Sequence, residues 1–223
     1  MTGSVIGLFE AREWHEMLGV ENTLRALEGN GFDAVYYPTA EEAVAGVLEM
    51  VPEGSAVGIG GSVTLREMGL VDALEARGVE LADHWKAGQR GASKDEIMEI
   101  RRRHLNSDVF ITGTNAVTET GELVNIDGTG QRVAAMIFGP GRVVVVAGVN
   151  KITGDLEEGL WRASNVAAPM NARRLHPGTP CAETGECEDC VAPGRICGIT
   201  TIIHRRPRQT PFTVVLVGEK LGY

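Results

Sequence analysis

The residue types best suited to chemistry sit close together near the end of this chain. All four cysteines, Cys181, Cys187, Cys190 and Cys197, lie in PCAETGECEDCVAPGRIC, and none occurs in the first 180 residues. Their spacing is C-x5-C-x2-C-x6-C. Two sulfurs separated by two residues converge on one ion across a tight turn, and Cys181 and Cys197 can complete a four-thiolate shell as the nearby glycines and prolines let the chain wrap. In a chain of this size without a secretory signal, metal or redox ligation is expected ahead of structural disulfides. The spacing matches neither the repeated C-x2-C of zinc ribbons nor the C-x2-C-x2-C-x3-C-P of bacterial ferredoxins, so it leaves an iron–sulfur cluster and Zn2+ both open. Free or disulfide-forming thiols in a surface loop are the plain alternative.

Other candidates carry oxygen, nitrogen and glycine chemistry. GIGGS, with Gly58, Gly60, Gly61 and Ser62, follows an apolar strand and precedes a helix, a place where backbone N–H groups bind anions. It is neither G-x-G-x-x-G nor a P-loop, and a simple Gly-rich turn would read the same way. TGTNAVTETGELVNIDGTGQR offers small polar residues at strand ends. Glu119, Asn125, Asp127 and Gly128 stand out there, although Asn, Asp and Gly also form ordinary turns. Asn150 and Lys151 close the most apolar strand, RVVVVAGVNK, and ligands of open α/β sheets collect at the carboxyl ends of parallel strands. Asn171, Arg173 and Arg174 fall near a helix end, where cations also serve the helix dipole. The five histidines show no metal-ligand spacing, and His176 is the one weighed as a neighbour of the cysteine site. No G-x-S-x-G or H-E-x-x-H is present, so familiar hydrolase chemistry has no support.

The elements that must position these residues follow a regular rhythm. Trp14, Met17, Leu18, Leu24 and Leu27 predict an amphipathic helix over 12–27, stopped by Gly29 to Gly31. DAVYYP reads as a strand, Thr39 as the cap of a helix over 40–50, and SAVGIGGS as a strand running into a turn. A helix over 63–77, interrupted near Gly69, a strand over 79–82 and a Ser93-capped helix over 94–104 continue the alternation. VFITGT, ELVNID, RVAAMIF and RVVVVAGV then read as strands, 154–174 as one helix broken at Pro169, and TTIIH and FTVVLV as closing strands. Short continuous apolar strands predict an α/β fold with a mostly parallel sheet covered by helices, extended by antiparallel hairpins.

The chain has 223 residues, of which 43% are hydrophobic, enough for one principal core, and its formal net charge is −9. That charge argues against nucleic acid and anionic membrane surfaces as partners. No window approaches the roughly 20 apolar residues of a membrane span, and the opening MTGSVIGLFEAREWHEML lacks a signal core. A cytoplasmic protein is expected, with small metabolites or other proteins as partners.

GIGGSVTLREMG, ITGTNAVTETGELVNIDGTGQRV, GVNKIT and NARRL, in this order, give the chain a resemblance to the LUD domain family, the lactate utilization proteins. The resemblance implies one LUD-like α/β domain over 1–223, with a cysteine-bearing loop at about 178–198 and a fold similar to that of sugar-phosphate isomerases and coenzyme A transferases. It also implies a part in oxidising lactate or a similar hydroxy acid, usually beside a partner with ferredoxin-type iron–sulfur ligands. The chain has no ferredoxin-type run, but its cysteine segment resembles that of a cysteine-bearing subgroup. The family's redox association therefore favours a 4Fe-4S centre over zinc, passing electrons to a redox protein partner. GIGGS, Asn125, Asp127, Asn150, Lys151 and Arg173 would line a pocket for a small carboxylate or phosphorylated ligand. Homo-oligomers are left open. TETG is similar to the S-E-N-G motif of some coenzyme A transferases, which would make Glu119 a nucleophile carrying an acyl group, with the cysteines on a structural zinc. A non-catalytic, zinc-bearing binding subunit is the third alternative.

Overall fold

The computed structural model describes residues 8–223, so the opening residues read for a targeting signal lie partly outside it. Helix α1 spans Leu8–Gly29 and stops at the glycines, with Gly31 in the left-handed region at φ +85°. Val20 and Leu27 are buried, whereas Trp14 and Met17 are exposed. Strand β1 (Asp33–Tyr37) leads to α2 (Ala40–Glu49), whose first turn is capped by Thr39 accepting from the Glu42 N–H. β2 (Ala56–Ile59) is followed by α3 (Val63–Glu67) and α4 (Leu70–Ala76), separated at Gly69, whose φ of 74° breaks the helix. β3 (Glu80–Asp83), α5 (His84–Gln89) and α6 (Lys94–Arg103) come next, α6 starting in a Ser93/Glu96 capping box.

β4 (Val109–Gly113), β5 (Ala116–Thr118) and β6 (Leu123–Asp127) lead into α7 (Gln131–Ile137). Here the strand expected over RVAAMIF is corrected to a helix. A short apolar run does not distinguish a strand from a buried helix turn, and burial of Val133, Ala135 and Met136 together with Arg132 selects the helix. β7 (Arg142–Gly148) runs into a 3-10 turn, Val149–Lys151, and the short β8 (Ile152–Thr153). The helix expected over 154–174 is α8 (Leu156–Arg162), a π-helical turn (Ala163–Ala167) and α9 (Ala168–Leu175). Pro169 has no N–H to give the preceding turn, and the chain takes up the loss as the wider π turn just before it. α10 (Cys181–Thr184), β9 (Ile199–Ile203) and β10 (Phe212–Val217) complete the order.

Two sheets result. The larger has six strands in the order β1-β10-β7-β4-β2-β3, and all of its pairings are parallel. Alternate residues of its strands serve opposite faces. Val57, Ile59, Val109, Ile111, Val144 and Val146 meet α2, α3 and α4 in one core. Phe110, Val143, Val145, Phe212 and Val214 meet α1, α7 and the second sheet in the other. The continuous valine run of β7 is thus the mark of a strand buried on both faces. The second sheet, β8-β5-β6-β9, has four strands and contains the antiparallel β5–β6 hairpin, and its far side packs on α8 through Ala116, Val124 and Leu160. No described helix is long and apolar enough to cross a membrane.

Candidate functional site

Because every strand of the large sheet runs the same way, their carboxyl ends meet along one edge, and a cavity of about 220 Å3 opens there. Gly61 to Thr64 follow β2, His84 and Trp85 follow β3, Gly113 to Asn115 end β4, Lys151 follows β7 and Tyr223 follows β10, and all of them line it. The facing wall comes from Asp127 and Gly128 after β6, Arg132 of α7, Asn171 and Arg174 of α9, and Ile196. The π turn brings Ala167 and Ala168 to this wall. Glycine is needed where the walls close in: a Cβ on Gly61 would lie 2.7 Å from the Trp85 indole nitrogen, and one on Gly128 would lie 3.0 Å from the Ile196 backbone.

The lining is cationic. Arg101, Arg132, Lys151 and Arg174 border the cavity against one carboxylate, Asp127, in a chain whose net charge is −9. Arg132 is held almost entirely by neutral acceptors: Gly113 O at 3.1 Å, Asn125 Oδ1 at 2.5 Å, Asn115 Oδ1 at 3.2 Å and Ile126 O at 2.7 Å. Its Nε stands 3.7 Å from Asp127 Oδ2. Asp127 Oδ1 accepts from the backbone N–H groups of Thr129 and Gly130, while Oδ2 is buried without a hydrogen-bond partner among the described residues. Lys151, only 3% exposed, donates to Thr64 Oγ1 at 2.8 Å and Thr114 O at 3.1 Å. Burial first, then the nearby Arg162 and Arg132, lower its pKa to about 7, against a smaller opposing pull from Glu67.

The opposite side is aromatic and imidazole. Trp85 lies between two guanidiniums, Arg66 at 5.0 Å and Arg174 at 4.3 Å from its ring centroid. Arg66 is fixed by Asp83, whose oxygens it meets at 2.8 and 2.7 Å and which also caps α5. His84 and the deeper His104, ring centroids 5.5 Å apart, both have pKa values lowered to about 4, chiefly by burial. Both imidazoles are therefore neutral at pH 7. His84 Nδ1 and Arg101 Nε, both on cavity-lining residues, are buried without partners among the described residues.

Of the residues singled out in the sequence, Gly61, Ser62, Asp127, Gly128, Lys151, Asn171 and Arg174 line the cavity. Gly58 and Gly60 lie behind it, where a Cβ on Gly60 would meet Thr112 Oγ1 at 2.4 Å. Asn125 is fully buried and supports Arg132. Asn150 ties down the chain's end through Leu221 N and Gly222 O, and Arg173 holds the cysteine segment through Ala182 O and Glu183. Glu119 sits on the β5–β6 turn, where it accepts from Asn22 of α1, outside the cavity lining. His84, Trp85, Arg101 and Arg132 were not singled out. An arginine inside the apolar run RVAAMIF and the HW pair directly after a strand were the available signals.

Cys181, Cys187, Cys190 and Cys197 are all free thiols, with Cys187 exposed and the others half-buried. Arg195 braces their segment, donating to Cys190 O at 2.8 Å and pairing with Asp189 at 2.9 Å. Among the described residues no three His, Cys, Asp or Glu side chains gather as a metal ion requires. The thiols as arranged here do not fit a four-thiolate shell.

A model of the LUD domain matches residues 20–217. No curated protein matches the chain. The crystal structure of a DUF162 family protein from Deinococcus radiodurans is similar over 91% of this chain and 98% of its own, with a TM-score of 0.53 at 13% identity, and shares the fold. Ribose 5-phosphate isomerase from Plasmodium falciparum overlaps 52% of each chain at 18% identity and a TM-score of 0.33. Ribose 5 phosphate isomerase A from Neisseria gonorrhoeae overlaps 53% of this chain and 52% of its own at 19% identity, again at 0.33.

Proposed function

This chain belongs to the LUD domain family, and on that premise we propose that its cavity binds a small hydroxy acid or the matching 2-oxo acid in the oxidation of lactate or a close relative. The observation that carries this reading is the cation-rich cavity at the carboxyl ends of the parallel strands. A carboxylate there answers the surplus of the guanidiniums of Arg101, Arg132 and Arg174 over Asp127, and each charge-assisted hydrogen bond it gains contributes about 1.5–3 kcal/mol. Asp127, whose Oδ2 has no hydrogen-bond partner among the described residues, supplies an acceptor for a hydroxyl donor at the same wall. Size agrees, since a cavity of about 220 Å3 has room for a three-carbon acid.

For so small a ligand a Kd on the order of 0.1–1 mM is expected, about −4 to −5.5 kcal/mol. Calorimetric titration with lactate, pyruvate and glycolate, set against inorganic phosphate and ribose 5-phosphate, tests it. Saturable binding of the acids supports the reading; binding of the phosphorylated compounds alone, or of none, removes it.

A metal centre on Cys181, Cys187, Cys190 and Cys197 is a second proposal. What supports it is the grouping of four free thiols in one segment, and it requires that segment to close up from the arrangement seen here. Anaerobic purification with an absorption spectrum and iron, sulfide and zinc analysis separates a cluster that could pass electrons to a partner from a colourless zinc or no metal.

A further inference from the structure

Lys151 is more than a charge in the wall. Its Nζ donates to Thr64 Oγ1 at 2.8 Å and to Thr114 O at 3.1 Å. Thr64 in turn gives its own hydrogen to Leu221 O at 3.3 Å, so it acts toward Lys151 as an acceptor. A neutral amine has two N–H bonds, and both are engaged here. In the neutral form the nitrogen keeps a lone pair beyond these two bonds, on a side chain that lines the cavity.

We propose that Lys151 is a nucleophilic amine that condenses with the carbonyl of a 2-oxo acid seated in the cavity. The proposal rests on the acid-binding reading of the same site. The nitrogen lone pair forms a C–N bond to the carbonyl carbon as the C=O π pair moves onto oxygen. A proton passes from nitrogen to that oxygen, giving a carbinolamine. Uptake of one further proton expels the oxygen as water and leaves the protonated imine. No oxidant or reductant is consumed. The hydroxy acid has no keto group and cannot form this bond, so the step gives the site a covalent hold on the oxidised acid alone.

The surroundings favour the neutral amine the first step needs. Burial first, then Arg162 and Arg132, which oppose a third positive charge, bring the pKa to about 7 against the weaker opposing pull of Glu67. At pH 7 the neutral fraction of such a lysine exceeds that of an ordinary one, pKa about 10.4, by a factor on the order of 10^3.

The test is reductive trapping. The full chain is incubated with pyruvate and borohydride, and intact mass and peptide mapping locate the adduct. One reduced adduct per chain is expected, on Lys151 and not on Lys86, Lys94 or Lys220, at a rate that rises with pH and levels off above about pH 7. Lys151→Met should abolish it, with circular dichroism reporting the fold. No adduct on the native chain, or equal labelling of all four lysines, overturns the proposal. If calorimetry still detects pyruvate in that case, the imine alone has failed; if pyruvate does not bind, the acid-binding reading has failed with it.

Discussion

At the cavity, the cationic side chains are fixed from behind. Arg132 spends its N–H groups on Gly113, Asn115, Asn125 and Ile126, and Lys151 is held by Thr64 and Thr114. The cysteine segment meets the same cavity at Ile196, yet surface contacts brace it: Arg195 to Cys190 O and Asp189, and Arg173 to Glu183. One region has its polar groups preorganised in low-dielectric surroundings, where each is costly to orphan. The other keeps its four thiols free, Cys187 exposed and the rest half-buried. Binding geometry therefore resides in the sheet edge, and any metal-dependent behaviour in the segment beside it.

The sharpest way to break this contrast is to remove the most heavily bonded side chain. Arg132→Met removes the buried donor shared by Gly113 O, Asn115 Oδ1, Asn125 Oδ1 and Ile126 O together with the cation beside Asp127, and should cost about 3–5 kcal/mol in urea denaturation. A loss below about 1 kcal/mol would show that the wall is not preorganised through Arg132.

Protonation probes the same wall. His84 and His104 have pKa values lowered from 6.5 to about 4, so the unfolded chain binds their protons first as pH falls. Their effect is absent above about pH 6.5, and stability declines between 6.5 and 4 by on the order of 2–3 kcal/mol per imidazole. Denaturation midpoints across this range, compared with a His84→Gln chain, should show a shallower decline in the variant.

Smaller effects belong to the rim and the loop. Arg174→Gln removes an exposed cation that stacks on Trp85, and should weaken pyruvate binding about tenfold, some 1.4 kcal/mol, in calorimetry. Cys187→Ser, at an exposed thiol, should change the stability of metal-free protein by less than about 0.5 kcal/mol. A clearly larger effect after iron or zinc is added would move the segment into the organised class.

Much of the framework was legible because its signals are local. Thr39, Gly69 and the Ser93/Glu96 pair mark their helix ends through single hydrogen bonds or one left-handed φ. The valine run of β7 announces a strand covered on both faces. RVAAMIF was misleading because seven apolar-rich residues fit a buried strand or a buried helix equally, and only Arg132 reaching Asn125 and Gly113 decides. In the site, Gly61, Asp127 and Lys151 could be named because they follow strands. His84 follows β3 and carried the same signal, whereas Arg101 arrives from α6, and nothing in its local sequence says that this helix ends at the same cavity. Cysteine spacing, conversely, gives only what the chain permits, and not where the sulfurs rest.

The central claim is that the sheet-edge cavity is where a small acid binds, and Trp85 reports on it directly. The chain's other tryptophans, Trp14 and Trp161, are exposed at 61% and 59% and can be replaced by phenylalanine. Titrating that Trp14→Phe, Trp161→Phe protein with pyruvate should give a saturable change in Trp85 emission, with the midpoint raised about tenfold by Arg101→Gln. An emission that stays flat, or a titration that Arg101→Gln leaves unchanged, would contradict it.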